Sequence, residues 1–378
     1  MHNSLVRCTK CLMPTTRPDT AFINGVCSGC ISHERRVEVD WTRRRGDLLR
    51  ILESAKVNSN GYHCIVPSSG GKDSHYQVLK LIELGARPLV VTATTCMLTE
   101  IGKANIRNLA RYATTIEVTP NLRVRALLNR LGLELAGDAS WPEHVAINAI
   151  PFRIASEMGI PLIFYGESPL ACYGSPHDAT DEMTMTKRWI MEFGGQLGLR
   201  PADLVGQHGL RREDMADYTM PSDAQMEKLS AYFLGQFIPW NSHRNGKEAV
   251  AAGMQTLGHP PSVANWWTPE NLDNAQTGAF HDYFGALKFG YGRLCAQISI
   301  DIRYGMISRD EAVHIVRQMD CTFPELYMGV HYTEILRHIG MSEDQYWDLA
   351  RAFANTAIWD TSRRQPILKP DVWEKSFC

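Results

Sequence analysis

Tyr62-His63-Cys64-Ile65-Val66-Pro67, followed at once by Ser68-Ser69-Gly70-Gly71-Lys72-Asp73-Ser74, is the stretch on which the architecture turns. A short apolar run leads into a glycine turn, and His75 to Leu84 then has helical character up to Gly85. Glycine lets a backbone approach an anion closely, and a helix start points free N–H groups at it. Ser69 and Ser74 add hydroxyl donors, and Lys72 adds a positive charge. Asp73 opposes a phosphate unless a divalent cation bridges carboxylate and phosphate oxygens. The spacing is not the Walker pattern, which places four residues between its first glycine and Gly-Lys-Ser/Thr. The plain alternative is an ordinary strand-to-helix turn.

Outward from this loop, strand and helix alternate. Pro88–Ala93, Ile116–Val118 and Pro161–Tyr165 read as further strands; Ile101–Tyr112, Val124–Leu131 and Ala146–Met158 read as helices. Short apolar runs separated by helices are what a parallel sheet covered on both faces requires. Residues 46–56 read as a preceding helix, residues 172–220 as mixed and loop-rich, and residues 223–240 as a return to apolar content. Residues 241–378 read as mainly helical, with capping boxes at Ser308/Glu311 and Ser342/Gln345. The expected division is 1–45, 46–240 and 241–378. The fold class is therefore α/β, a parallel-sheet domain with an N-terminal four-cysteine knuckle and a mainly helical C-terminal region.

Of the 378 residues, 44% are hydrophobic and 21% charged, which excludes a disordered chain or a coiled coil. No run of about 18 apolar residues suggests a membrane span, and the start has no apolar signal region. A cytoplasmic protein is expected. Thirty-nine basic against 41 acidic residues give a net charge of −2, which argues against bulk capture of nucleic acid. The basic stretch Arg35-Arg36 and Arg43-Arg44-Arg45 reads as a solvated helix face or as a substrate or partner contact.

Four of the ten cysteines form two Cys-x-x-Cys pairs, Cys8/Cys11 and Cys27/Cys30, separated by 15 residues. Each pair can place two thiolates on one ion, and two such knuckles close a tetrahedral site. Soft thiolates favour zinc or iron, and structural zinc is the expectation for a segment too short to fold by burial alone. Cys64, Cys96, Cys172, Cys295, Cys321 and Cys378 are scattered and read mostly as small buried hydrophobes.

The hexapeptide Ser69-Gly70-Gly71-Lys72-Asp73-Ser74 resembles the PP-loop of the ATP pyrophosphatase (adenine nucleotide alpha-hydrolase-like) superfamily. That resemblance implies that the sheet domain is a PP-loop (HUP-like) nucleotide-binding one, with ATP and Mg2+, the loop gripping the departing pyrophosphate and Lys72 and Asp73 acting at the phosphates. It implies adenine near Thr92 and Ala93, and Gly166 and Glu167 facing the adenylate. Further segments resemble the N-acetyl sugar amidotransferases of surface-polysaccharide biosynthesis. They are Arg7 to Pro14, Thr16-Arg17-Pro18, Gly25-Val26-Cys27, Ile65-Val66-Pro67, Leu98 to Gly102, Tyr165 to Pro169, His281-Asp282-Tyr283, Leu287 to Arg293 and Ser299 to Arg303.

The resemblance implies ATP-dependent adenylation of the N-acetyl carbonyl oxygen of a nucleotide-linked sugar, then replacement by ammonia to give an acetamidino sugar. It implies a separate glutaminase like that of histidine biosynthesis as ammonia source, with a cyclase-like subunit. The chain fits that need, having His2 rather than cysteine at position two and no Gly-x-Cys-x-Gly turn. The resembled family carries cysteines in the segment Gly137 to His144, where this chain has Ala139 and Glu143.

Substrate contacts are expected from Glu100, Trp141, His144, His281, Asp282, Lys288, Arg293 and Arg303. Each has a plainer alternative: a helix N-terminal acid for Glu100, packing for Trp141 and His144, a helix cap for His281 and Asp282. Lys288, Arg293 and Arg303 fit either a substrate diphosphate or an internal network with Asp301. Trp240, Trp266 and Trp267 read as core or interface rather than a uracil platform. Two rival functions remain. Sulfur insertion on the same loop would need a cysteine near the adenylate, such as Cys96 or Cys172. A non-catalytic zinc-bearing scaffold would form no AMP.

Overall fold

The computed structural model describes residues 5–18, 20–57, 59, 61–167, 172 and 184–377. Ser168, Pro169 and Cys378 of the sequence reading lie outside the described residues.

Five parallel strands form the central sheet: β1 Cys64–Pro67, β2 Pro88–Ala93, β3 Thr114–Val118, β4 Leu162–Tyr165 and β5 Ser230–Phe233. Their spatial order is β3-β2-β1-β4-β5, all neighbours parallel. The strand order reverses at β1, so the chain leaves β1 and β4 in opposite directions. In open α/β sheets that reversal opens a crevice at the carboxyl ends of the strands, where ligands bind.

Alternation along the strands divides the core between the two faces, because successive side chains point oppositely. Ile65, Leu89, Val91 and Ile163 pack on one side with Trp141, Val145 and Ile150. Cys64, Val66, Val90, Leu162 and Phe164 pack on the other with Leu48, Val78 and Leu81. The helices are α1 Ser28–Arg35, α2 Trp41–Val57, α3 Lys72–Glu83, α4 Glu100–Leu109, α5 Leu122–Ala136 and α6 Trp141–Met158. Thr99 caps α4 by accepting from the Gly102 amide, and Asn121 caps α5. Helix α6 starts five residues before its apolar spacing suggested, because Trp141, Pro142 and Val145 are themselves core.

Beyond the sheet come α7 Ser242–Ala251, α8 Tyr283–Phe289, α9 Arg293–Arg303, α10 Arg309–Met319, α11 Tyr332–Ile339 and α12 Glu343–Phe353. Both expected capping boxes form, Ser308 with Glu311 and Ser342 with Gln345. The C-terminal helices share a core of Phe280, Phe284, Leu294, Ile298, Tyr346 and Trp359, and Leu5 and Leu12 from the N-terminal segment insert into it. No helix among the described residues is long and apolar enough to cross a membrane.

Candidate active site and metal centre

The glycine loop is shaped by two local constraints. Gly70 has φ +80°, and a Cβ there would meet the Ile106 backbone nitrogen at 2.9 Å. Gly71 is extended, and a Cβ there would touch only the Ser69 hydroxyl, at 3.4 Å. The Gly70 amide donates to Ser68 Oγ at 2.9 Å. Gly71 caps α3 without a side-chain hydrogen bond, so the first turn of a twelve-residue helix has no capping side chain.

This loop lines a cavity of about 520 Å³ at the carboxyl ends of β1 and β4. Ser69 to Ser74 form one wall, and Gly166, Glu167 and Cys172 follow β4. Tyr165, Trp189, Phe193 and Phe233 supply an apolar side, and Trp267, Glu270 and Asp273 close it from the C-terminal region. Gly166 is required by space, since a Cβ would meet Gln77 Nε2 at 2.9 Å and the Trp240 ring at 3.2 Å.

Charges in the cavity are paired across elements. Lys72 is buried, with its ammonium against Asp73, 3.9 Å from Glu270 Oε1 and 5.6 Å from the Trp267 ring centre. Glu167 pairs with Arg36 at 3.0 Å, so one arginine of the basic stretch serves the site rather than solvent. Burial raises the Glu167 carboxyl above its ordinary range, with Arg36 opposing. Burial also raises the Cys172 thiol, and the Glu167 charge, 3.1 Å from its sulfur, raises it further. Asp273 is pushed up to about 6 by burial in the cavity wall.

Of the residues expected to contact ATP, Ser69 to Ser74 and Gly166 line the cavity. Thr92 and Ala93 end β2 outside the lining, Thr92 buried with an unpartnered hydroxyl. Of the expected substrate residues, His144 lines the cavity and the others are placed elsewhere. Glu100 is exposed and pairs with Lys103 at 2.6 Å, as a helix N-terminal acid does. Trp141 is core, its indole donating to the Gln196 and Leu199 carbonyls. Arg293 pairs with Asp282 at 2.8 Å, and Lys288 donates to the Ala136 carbonyl at 3.1 Å.

His144 and His281 converge on the buried carboxylate of Asp138, a residue to which the sequence reading gave no role. Glu143, in place of an expected cysteine, is a carboxylate pushed up to about 7 by burial. It accepts from the Cys96 amide at 3.2 Å and from Asn129 Nδ2 at 2.8 Å. Asp301 accepts from the indoles of both Trp266 and Trp267, at 2.8 and 3.0 Å, so these tryptophans are held as wall and core.

The four N-terminal cysteines come together, all buried. Cys8 and Cys30 sulfurs lie 3.9 Å apart and Cys11 and Cys27 sulfurs 3.6 Å apart. Tetrahedral zinc with Zn–S bonds of about 2.3 Å requires sulfur separations of about 3.8 Å, whereas a disulfide needs about 2.05 Å. The Cys11 and Cys27 amides donate to Cys8 Sγ and the Met13 amide to Cys11 Sγ, as loops wrapped around thiolates do. The Cys11 thiolate pushes Cys27 and Cys30 far above the ordinary thiol range, so the four ionise together only around a cation. The quartet can hold a metal ion and suits zinc. Arg303 reaches this centre rather than the cavity, its guanidinium 3.4 Å from Cys30 Sγ, 3.6 Å from Cys11 Sγ and 3.7 Å from Cys27 Sγ. Its other nitrogen donates to the Cys172 carbonyl, tying the metal centre to the cavity wall.

Fold and site together define an α/β protein with a cavity at a glycine loop and, beside it, four clustered cysteines able to hold a metal ion. Residues 263–373 match the family described as LPS biosynthesis protein WbpG-like, C-terminal domain. That segment is similar to a lipopolysaccharide-biosynthesis family, and it contributes Trp267, Glu270, Asp273 and Ile300 to the cavity. No curated protein matches the chain.

Proposed function

We propose that the chain is an ATP-dependent amidotransferase of lipopolysaccharide O-antigen or related surface-glycan biosynthesis. It adenylates the N-acetyl carbonyl oxygen of a nucleotide-linked sugar and replaces that oxygen with ammonia. The observation that carries this reading is the composition of one cavity. The PP-loop-like turn, the Gly166-Glu167 corner and a wall from the segment similar to the lipopolysaccharide-biosynthesis family all line it.

The outer phosphates of ATP sit against Gly71 and the first turn of α3, where only the Ser69 hydroxyl stands near the missing Gly71 Cβ and the helix end favours negative charge. Lys72, already desolvated beneath Trp267, exchanges its carboxylate partners for phosphate oxygens. Asp73 and Glu270 are the carboxylates on that wall able to hold Mg2+. When bound, the ion supplies charge neutralisation at the phosphates. The carbonyl oxygen attacks the α-phosphorus and pyrophosphate leaves. The resulting O-adenylyl imidate accepts ammonia at carbon and AMP departs with the oxygen. An amide oxygen is a poor leaving group and the adenylate a good one, so positioning and charge stabilisation do most of the work. Ammonia comes from a separate glutaminase of the histidine-biosynthesis type, with a cyclase-like subunit.

A second reading, sulfur transfer, is favoured by Cys172 lying in the cavity wall. Burial and Glu167 hold that thiol protonated, which disfavours it as a nucleophile. Incubation with ATP, Mg2+, ammonium and N-acetylated UDP-sugars should give AMP and a product with oxygen replaced by NH. Lys72→Ala should lower the rate about 10²–10³-fold, while Cys172→Ala should keep it. Loss of turnover in Cys172→Ala, with Lys72→Ala impaired as well, would favour the sulfur reading, which activates its substrate on the same loop.

A further inference from the structure

Outside the cysteine quartet, Asp138, His144 and His281 form a second cluster of metal-ligating type, with one ligand atom from each lying within 4.8 Å of the others. They arrive from three places: the turn after α5, the first turn of α6, and the π-helical turn Gly278–Asp282 that runs into α8. Asp138 is buried, and its Oδ1 is fixed by the Ser140 amide at 2.8 Å. His281 Nδ1 is 3.0 Å from both carboxylate oxygens. His144 Nδ1 is buried with no hydrogen-bond partner and lies 3.6 Å from Asp138 Oδ2, beyond a hydrogen bond. Nitrogen and oxygen atoms held at about 2.0–2.2 Å around one ion sit at such separations.

We propose that Asp138, His144 and His281 bind a divalent first-row transition ion, Zn2+ or a close relative, as a second metal site distinct from the quartet. Two imidazoles and one carboxylate suit such an ion and not a hard alkaline-earth ion. The ion satisfies the His144 nitrogen that the protein leaves unpaired, and the Ser140 amide orients the carboxylate as an outer-shell partner. Three protein ligands leave a coordination position for water or a substrate oxygen. His144 and His281 retain 33% and 28% side-chain exposure, so the ion has a path in, and His144 belongs to the cavity wall. The nearby cations are engaged: Arg293 by Asp282, and Lys288 at the Ala136 carbonyl. With one carboxylate against those two cations, the site holds its ion less tightly than four thiolates hold theirs. The inference does not depend on which reaction the cavity performs.

The test uses the full chain with its quartet loaded with Zn2+ and the remaining metal stripped by a mild chelator, then titrated with Co2+. One equivalent should bind with weak visible bands of nitrogen–oxygen coordination and without thiolate charge transfer. His144→Gln should weaken that binding at least about 100-fold, while quartet zinc and thermal stability persist. His281→Gln is the second variant and should behave alike. A zinc-loaded wild-type chain that takes up no Co2+ would reduce the cluster to a hydrogen-bonded His281–Asp138 pair and overturn the proposal. So would unchanged Co2+ binding in both variants.

Discussion

Gly70 and Gly71 are neighbours with opposite physical demands, and that difference can be measured. Gly70→Ala places a side chain at φ +80° and against the Ile106 backbone, so it should destabilise the fold by about 1–3 kcal/mol in urea unfolding. Gly71→Ala meets no such obstacle and should change stability by less than about 0.5 kcal/mol, yet weaken ATP binding by filling the space before the helix. Asp273 makes a pH prediction. Its folded pKa of about 6 exceeds the unfolded value, so the folded state holds the proton more tightly. Its contribution is fully present below the unfolded pKa, at about 4, and is lost as pH rises through about 6. Asp273→Asn should flatten that slope and be relatively more stable at pH 7 by about 1–2 kcal/mol, read by thermal or urea unfolding across pH. The loop was legible as a strand-to-helix turn because an apolar run leads into two glycines and then a helical pattern, and the structure places that turn in a cavity wall. Asp138 and Asp273 were not, since His281 lies 143 residues from Asp138, the burial of Asp273 comes from the tertiary fold, and a lone aspartate has no local signature.

Among the elements, β1, β2 and β4 were legible because each is a short, largely buried apolar run between helices, whereas β3 has no buried residue and only its Ile116–Val118 part was read. Strand β5 was read only as a return to apolar content, because Ser230-Ala231-Tyr232-Phe233 opens on an exposed serine, is half-buried and pairs with β4 across a long, irregular connection. Helix α10 owes its start to the Ser308–Glu311 box, and Ser308→Ala should cost about 1 kcal/mol in thermal unfolding. Helix α9 carries Arg303 into the thiolate cluster instead of toward a diphosphate. Its spacing in the sequence could not separate these, because a guanidinium suits both thiolates and phosphates. Arg303→Met removes the part-buried counter-charge and, in the zinc-loaded chain, should accelerate zinc release to a chelator while leaving the four cysteines in place. Unchanged release would mean that the guanidinium contributes only packing.

Across the whole molecule, the N-terminal knuckle, the sheet and the C-terminal helices are joined by a few long-range contacts. Cys8, Cys11, Cys27 and Cys30 pack with Met13 and Ala296 of α9, so the cysteine cluster supports the C-terminal core as well as its own loops. Removing the metal should lower the melting temperature of the entire chain and uncover α9 to hydrogen exchange, not merely loosen residues before α2. The cavity itself is a product of this assembly. The sequence showed its glycine wall, but Trp267, Glu270 and Asp273 come from an irregular segment whose approach to β1 no periodicity announces. The proposed reaction moves the adenylyl group of ATP onto an amide oxygen in this cavity. The most direct measurement supplies an N-acetylated nucleotide sugar labelled with ¹⁸O at the acetyl carbonyl, with ATP, Mg2+ and ammonium, and weighs the AMP formed. The account predicts AMP carrying the heavy oxygen, in step with amidine product. Unlabelled AMP, or turnover to ADP, would contradict it.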